Sequence, residues 1–503
     1  MDSMYYRHMH HEIYLRLLYI KMNSSTRDVE QELDRISNLP EPIRCLIISR
    51  LPIEELVRTS VLSKSWHDTW KNVPHLYFDL TRMTKACREP FYQVKRNRRS
   101  HCARNFLPCS EQHINQLHDA ARLVNTILNA HSASVTSCRI NQFPIGFQEP
   151  VESVEYLTRI KGVQELYLTG RPLIRFGPQK LKPLPFPSWG KTLQVLELSK
   201  YTIKDASIFK GCDNLHTLRL KIVKLGKESM GEILTYCKAL KEISLLNCTG
   251  IENLTISNKN LKILELHNIS FSLINICAEN LAVLVLGNIQ CPASCLVIKA
   301  PAVVKLDAFH LNRKDCFEME ELLSRCCGIL GSCNDAGRPI SNRTFYISPF
   351  KKLQMLSLNL DLNNIGEAII LSYFFRECFG LKTLKICLPV GRTANLNQAS
   401  GNQLSYPEYL FWDQKEIFES IENNLSMVHI TRFSGTELEM GFAKYIITRA
   451  PKMKTIVIDC QDSCTTYVQR LFKLSKASVH LSVFVDHPRL SSVYSSEVNL
   501  LVE

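Results

Sequence analysis

An α/β fold is predicted: a curved solenoid lined on its inner wall by a parallel sheet and preceded by a short helical head. Three observations predict it. The apolar template Leu-x-x-Leu-x-Leu recurs nine times along the 503-residue chain. Five consecutive steps of that template measure 22, 25, 21, 20 and 22 residues, a period at which one coil cannot bury its own leucines but a stack of coils can. Upstream of the repeats, proline-bounded apolar stripes at i, i+3, i+4 spacing mark short helices. With 45% hydrophobic and 22% charged residues, the composition is ordinary for a globular chain and excludes wholesale disorder and fibrous architectures. The longest candidate membrane stretch, residues 13–20, is interrupted by Arg16, whereas a spanning helix takes about 20 apolar residues.

Taken in order, residues 1–33 show no sustained period and read as a flexible leader. From 34 to 80 the pattern tightens into helices. Leu39-Pro40-Glu41-Pro42 opens the first, whose Ile43, Leu46 and Ile47 follow helical spacing, and proline is tolerated in a first turn. Leu51-Pro52 closes it. A second helix carries Ile53, Leu56 and Val57, and a third is expected after Ser63 as N-cap, with Trp66 and Trp70 stacked at i, i+4. So small a unit makes a marginal core, so some of its apolar side chains are expected to await a partner.

Residues 81–113 form a basic linker. Between 82 and 104, eight basic residues face one acid, Glu89, which accounts for +7 of the net +13. Its centre, Lys95, Arg96, Arg98 and Arg99, reads as a solvated linker, a nuclear-import signal or a phosphate-binding patch. Residues 114–128 then form a helix that opens the solenoid, assigned to 114–405.

The nine templates begin at Val163, Leu193, Leu215, Leu240, Leu261, Leu281, Val303, Leu353 and Leu381, and the period is that of leucine-rich repeats. Apolar pairs at Leu254 and Ile256, Ile274 and Ile276, and Leu296 and Ile298 are read as the return element on the outer wall. Leucines point inward, so the residues alternating with them face the open inner surface: Tyr167, Glu197, Arg219, Ser244, Glu265, Val285, Asp307, Ser357 and Lys385. That column mixes charge and polarity and repeats no catalytic set, which suits a surface that recognises a target. Steps of 30 and 50 residues, before Leu193 and Leu353, mark two insertions.

No chemistry-bearing motif survives inspection. Gly190-Lys191-Thr192 lacks the earlier glycine of a phosphate loop and runs into a strand. Cys316, Cys326, Cys327 and Cys333, near His310, lack any Cys-x-x-Cys pair and read as scattered thiols instead of a zinc site. No catalytic residue, metal or cofactor is expected. The 19 cysteines, odd in number and many in apolar runs such as Cys45, Cys277 and Cys387, read as reduced, mostly buried thiols of a protein of the nucleus and/or cytoplasm.

Residues 34–80 resemble the F-box. The resemblance rests on Leu39-Pro40, Leu51-Pro52 and Arg58-Thr-Ser-Val-Leu-Ser-Lys-Ser-Trp66 followed by Trp70, with His67 where the family often has Arg. Residues 408–460 are similar to the FBD domain through Phe411-Trp412, Phe418, Leu425, Val428, the run Phe433-Ser-Gly-Thr-Glu437, Glu439, Phe442, Tyr445 and Met453-Lys-Thr-Ile-Val-Ile458. FBD is assigned to 406–485 and a tail to 486–503. F-box, irregular leucine-rich repeats and FBD, in that order, resemble a large plant family. The resemblance implies a non-enzymatic subunit of a ubiquitin ligase. It would bind a Skp-type adaptor, and through it cullin and RING subunits, by Leu39, Pro40, Ile43, Ile47, Leu51, Pro52, Leu56, Val57, Val61, Trp66 and Trp70, each aliphatic being either interface or internal core. The solenoid would hold an unknown target. The alternative is a non-ligase repeat scaffold that binds protein or nucleic acid.

Overall fold

The computed structural model describes residues 36–83, 111–143, 148–170, 179–180, 191–291, 295–308, 351–363, 365–389, 412, 417–460 and 465–486. The leader, the basic cluster at 95–99, the cysteines at 316–333 and the tail beyond 486 lie outside these residues.

Fourteen parallel strands form one sheet in strict sequence order, from His75–Asp79 at one end to Ser482–Asp486 at the other. All nine predicted templates become strands of it. In eight of them the two later template residues are buried: Leu166 and Leu168, for example, alternate with the half-buried Glu165 and Tyr167 in the strand Glu165–Gly170. Fully burying a leucine is worth roughly 1.5 to 3 kcal/mol, and the parallel stack makes each row continuous with the next.

The sheet extends past both ends of the predicted solenoid. His75–Asp79 precedes it, and Ser137–Phe143 lies within it ahead of the first predicted template. Met427–Phe433, Thr455–Cys460 and Ser482–Asp486 continue it through the FBD-like region, whose helices Glu437–Arg449 and Thr465–Phe472 connect successive strands. That region adds further coils to the same sheet. The return elements pair as expected: Asn253–Ile256, Leu273–Cys277 and Leu296–Lys299 make a three-stranded parallel sheet.

In the head, α1 spans Glu41–Ile48 and α2 Ile53–Arg58, each preceded by a proline in extended conformation, Pro40 and Pro52. The expected third helix is absent. Residues 59–61 and 69–72 form 3-10 turns, and Ser63 Oγ shares a hydrogen bond with Ser65 Oγ at 2.8 Å instead of capping a helix. The two indoles are fixed by long-range packing, which local helical periodicity does not encode. Cys45, Cys138, Cys212, Cys237, Cys248 and Cys387 are buried thiols as expected, but Cys277 is exposed because it ends an outer-wall strand whose buried positions are Ile274 and Ile276.

One apolar core runs from Cys45, Ile48, Ile53, Leu56, Trp66 and Trp70 of the head through the leucine rows to Leu481. Polar contacts reinforce the junction. Arg82, just beyond the first strand, holds both acids of α2: its Nε lies 2.9 Å from Glu54 Oε1, and its Nη2 bonds Glu55 Oε1. His131 Nε2 lies 2.9 Å from the Val73 carbonyl, and Lys161 Nζ donates to the carbonyls of His131 at 2.5 Å and Ala133 at 3.1 Å.

Candidate functional site

The structure offers two surfaces, one on the head and one on the inner wall. On α1 the apolar residues divide. Cys45 and Ile48 point into the core, whereas Ile43, Leu46 and Ile47 are exposed, Leu46 by 61% and Ile47 by 49%. Val61, 84% exposed, and Leu62 follow α2, and Ile36 precedes α1. Six large aliphatic side chains exposed in so small a unit make the head the candidate interaction surface.

The predicted adaptor residues sort accordingly. Pro40, Ile43, Ile47 and Val61 are exposed, and Leu39, Leu51 and Val57 are half-buried. Pro52, Leu56, Trp66 and Trp70 are buried, so their placement on the contact surface is corrected: they form the support beneath it. Trp66 Nε1 donates to Ser37 Oγ at 2.7 Å, and the Arg44 guanidinium sits 5.6 Å from the Trp66 ring centroid while donating to the Ser65 carbonyl at 2.6 Å. These contacts pin the indole beneath the proline-bounded entry to α1. Leu46, Ile36 and Leu62 are the residues that sequence reasoning missed. Leu46 lay on the same helical stripe as Ile43 and Ile47, and that stripe was its available signal.

On the inner wall, the predicted column is in register without a slip. Tyr167 faces Glu197, Glu197 faces Arg219, and the pairing runs on through Ser244, Glu265, Val285, Asp307, Ser357 and Lys385. It extends beyond the prediction to Tyr77 and Arg139 at one end and to His429, Val457 and Phe484 at the other. The first four of these strands carry residues such as Cys138, Val428 or Ile456 where the template has leucine, and admitting any apolar residue would have found them; the strand of Phe484 has His480 at the first template position and escapes even that pattern. Two members are corrected. Val285 and Ser357, the latter only 2% exposed, are buried. Each is a short side chain between longer neighbours about 4.8 Å away on adjacent strands, Glu265 and Asp307 in one case, Asp307 and Lys385 in the other.

The early part of the column is internally paired. The Arg139 guanidinium lies 4.5 Å from the Tyr167 ring centroid, and the Tyr167 hydroxyl donates to Glu165 Oε2 at 3.2 Å. Burial, joined by the Glu165 carboxylate, pushes the Tyr167 phenol above its ordinary value, so it remains a neutral donor. Arg219 grips Glu242 Oε1 through Nε at 2.8 Å and Nη2 at 2.7 Å. Further along, His429 Nε2 lies 2.9 Å from Asp459 Oδ2. Among the described residues no group of three or more His, Cys, Asp or Glu side chains is placed to hold a metal ion, and no helix is long and apolar enough to cross a membrane.

Comparison with known proteins accords with this geometry. Residues 36–77 match the family model described as the F-box domain, the segment that carries the exposed aliphatic patch. Residues 183–484 match the model described as At1g61320/AtMIF1, LRR domain, which ends within the last strand of the sheet. The Arabidopsis thaliana F-box protein At1g80960 is 25% identical over 455 residues, covering 85% of this chain and 84% of that protein. The F-box/FBD/LRR-repeat protein At5g56420 of the same plant is 29% identical over 243 residues, 47% of this chain and 50% of that protein. The chain therefore belongs to the F-box/leucine-rich-repeat family, with an F-box leading into a solenoid of the At1g61320/AtMIF1 type.

Proposed function

We propose that this protein is the target-recognition subunit of a Skp-cullin-F-box ubiquitin ligase, using the aliphatic surface of the head to bind a Skp-type adaptor and the inner wall of the solenoid to hold a target. The observation that carries this reading is the exposure of Ile43, Leu46, Ile47, Val61 and Leu62 on a head that otherwise packs into the sheet. An apolar surface of this kind gains free energy only when another chain covers it. The continuous core supports the second half of the reading. Because the described residues of head and first coil share one apolar core, a target held by the solenoid would keep a set distance from whatever the adaptor brings. Rate would come from proximity, without an acid or base from this polypeptide. We place the protein in the nucleus and/or cytoplasm, where such ligases meet their targets.

The test is capture of a recombinant Skp-type adaptor, and of a cullin through it, by the purified full chain. Replacing Leu39 and Pro40 together with Ala is expected to weaken capture by about 2 kcal/mol or more, the cost of truncating interface anchors. Undiminished capture by that variant, with its thermal stability intact, would remove the adaptor assignment.

A further inference from the structure

The edge of the sheet at which the strands begin carries a ladder of lysines. The residue after the first apolar position of each template is joined to its neighbour by a backbone hydrogen bond: Lys241 N to His216 O at 2.7 Å, Lys262 N to Lys241 O at 2.8 Å, Lys382 N to Gln354 O at 2.8 Å and Lys454 N to Ser426 O at 2.8 Å. Lys238, Lys259, Lys351, Lys352 and Lys452 occupy the turns just before these positions. All nine lysines are exposed, and the exposed acids Asp213, Glu279 and Glu422 occupy other turns of the same edge, before His216, Ala282 and Ser426. The rungs of Lys241 and Lys262 are neighbours, as are those of Gln354 and Lys382, about 4.8 Å apart and inside the Debye length of about 8 Å at physiological salt, so the fields add within each of these clusters, while Lys452 and Lys454 stand two rungs further on. The chain passes from the head into the first strand along this same edge, with Ala133 N donating to the Lys71 carbonyl at 3.2 Å.

We infer that this edge is a second docking surface, separate from the inner wall, for an acidic polypeptide segment that carries apolar residues between its carboxylates. Two features favour a polypeptide over a nucleic acid. Phe379 projects from the turn between the lysine pair at 351–352 and Lys382, 48% exposed, and Pro301, Pro451 and Val479 occupy equivalent exposed places in other turns. Glu279 and Glu422 also interrupt the ladder. A phosphate backbone carries charge at every step and would meet both acids, whereas a polypeptide can set neutral residues against them. Aromatics interleaved along the track, as stacking on single strands requires, are represented on this edge by Phe379.

The test uses the full chain and three fluorescent probes: a Glu/Asp-rich peptide interspersed with Leu and Phe, a poly-Glu peptide of equal charge, and a single-stranded oligonucleotide of similar length. The mixed peptide is expected to bind best and to weaken as salt is raised. Charge reversal at K238E/K241E/K259E/K262E should weaken it about tenfold or more; K351E/K352E/K382E is the second variant should the first fail to fold. Reversal at Lys204, Lys221 and Lys224, outside this edge, should leave binding unchanged. Phe379→Ser should remove most of the preference for the mixed peptide over poly-Glu. No binding of the mixed peptide at low salt, equal binding by the edge variants, or tighter binding of the oligonucleotide would each overturn the proposal.

Discussion

Truncating Leu46 and Ile47 together to Ala separates the surface reading from a merely structural one. Both side chains lie on α1 with 61% and 49% of their area exposed, so about half of each one's burial free energy is still to be gained. Full burial of such a side chain is worth roughly 1.5 to 3 kcal/mol. Covering the exposed halves of both, together with the packing contacts a partner adds, should yield about 2 to 3 kcal/mol, or about 30- to 150-fold in Kd. Because neither residue belongs to the core, the variant's own stability should shift by only about 0.5 kcal/mol. Leu56→Ala supplies the contrast. Leu56 is fully buried, and its truncation should cost about 2 to 5 kcal/mol of stability. Isothermal titration of a recombinant Skp-type adaptor, paired with urea denaturation of each variant, reads both quantities. Adaptor affinity unchanged in the Leu46/Ile47 variant while its unfolding midpoint holds would refute the reasoning.

Three further outcomes follow from the geometry. The buried Glu439 carboxylate accepts from Ser434 N at 2.9 Å, Gly435 N at 2.8 Å and Asn363 Nδ2 at 3.2 Å; Glu439→Ala should cost about 3 kcal/mol by leaving these donors unpaired, measured as a lower urea midpoint, and no change would show the network to be dispensable. Gly250 adopts φ +86°, and a Cβ there would lie 2.0 Å from the Leu225 carbonyl oxygen, so Gly250→Ala should lower stability by about 2 kcal/mol or more; a calorimetric Tm equal to that of the native chain would contradict this. Burial holds the His131 imidazole below its usual value, with the Lys161 ammonium adding to the effect. The unfolded chain then takes up more protons than the folded one, so stability should fall as pH drops through about 6.5; a Tm flat or rising from pH 7 to pH 5, or a slope unaltered in His131→Gln, would count against the assignment.

Most of the solenoid was legible because its signal is periodic. Nine strands and their inward leucines follow from alternation and a period near 22 residues, and the inner-wall column follows from the same alternation. The strands of Tyr77, Arg139, His429 and Val457 escaped notice where valine, cysteine, phenylalanine or methionine stands for leucine. A core accepts those replacements because it selects for volume and apolarity, whereas a motif selects for identity. The stretch around Trp66 misled for the opposite reason: its spacing is helical, but Ser37, Arg44 and the first coil hold the indole in a turn.

From the sequence alone came the α/β class, the stacking of coils, the proline-bounded head and the family resemblance, because each depends on periodicity or on local backbone preference. Tertiary structure decided the direction in which apolar residues point. Cys45 and Ile48 share one short helix with Leu46 and Ile47, and only packing against the turn at residues 69–72 turns the former inward and leaves the latter open. It also joined the head, the repeats and the FBD-like coils into one sheet, since hydrogen bonding between parallel strands is a long-range pairing that no local pattern specifies. The lysine edge arises the same way, from residues some twenty or more apart in sequence brought to adjacent rungs by the register.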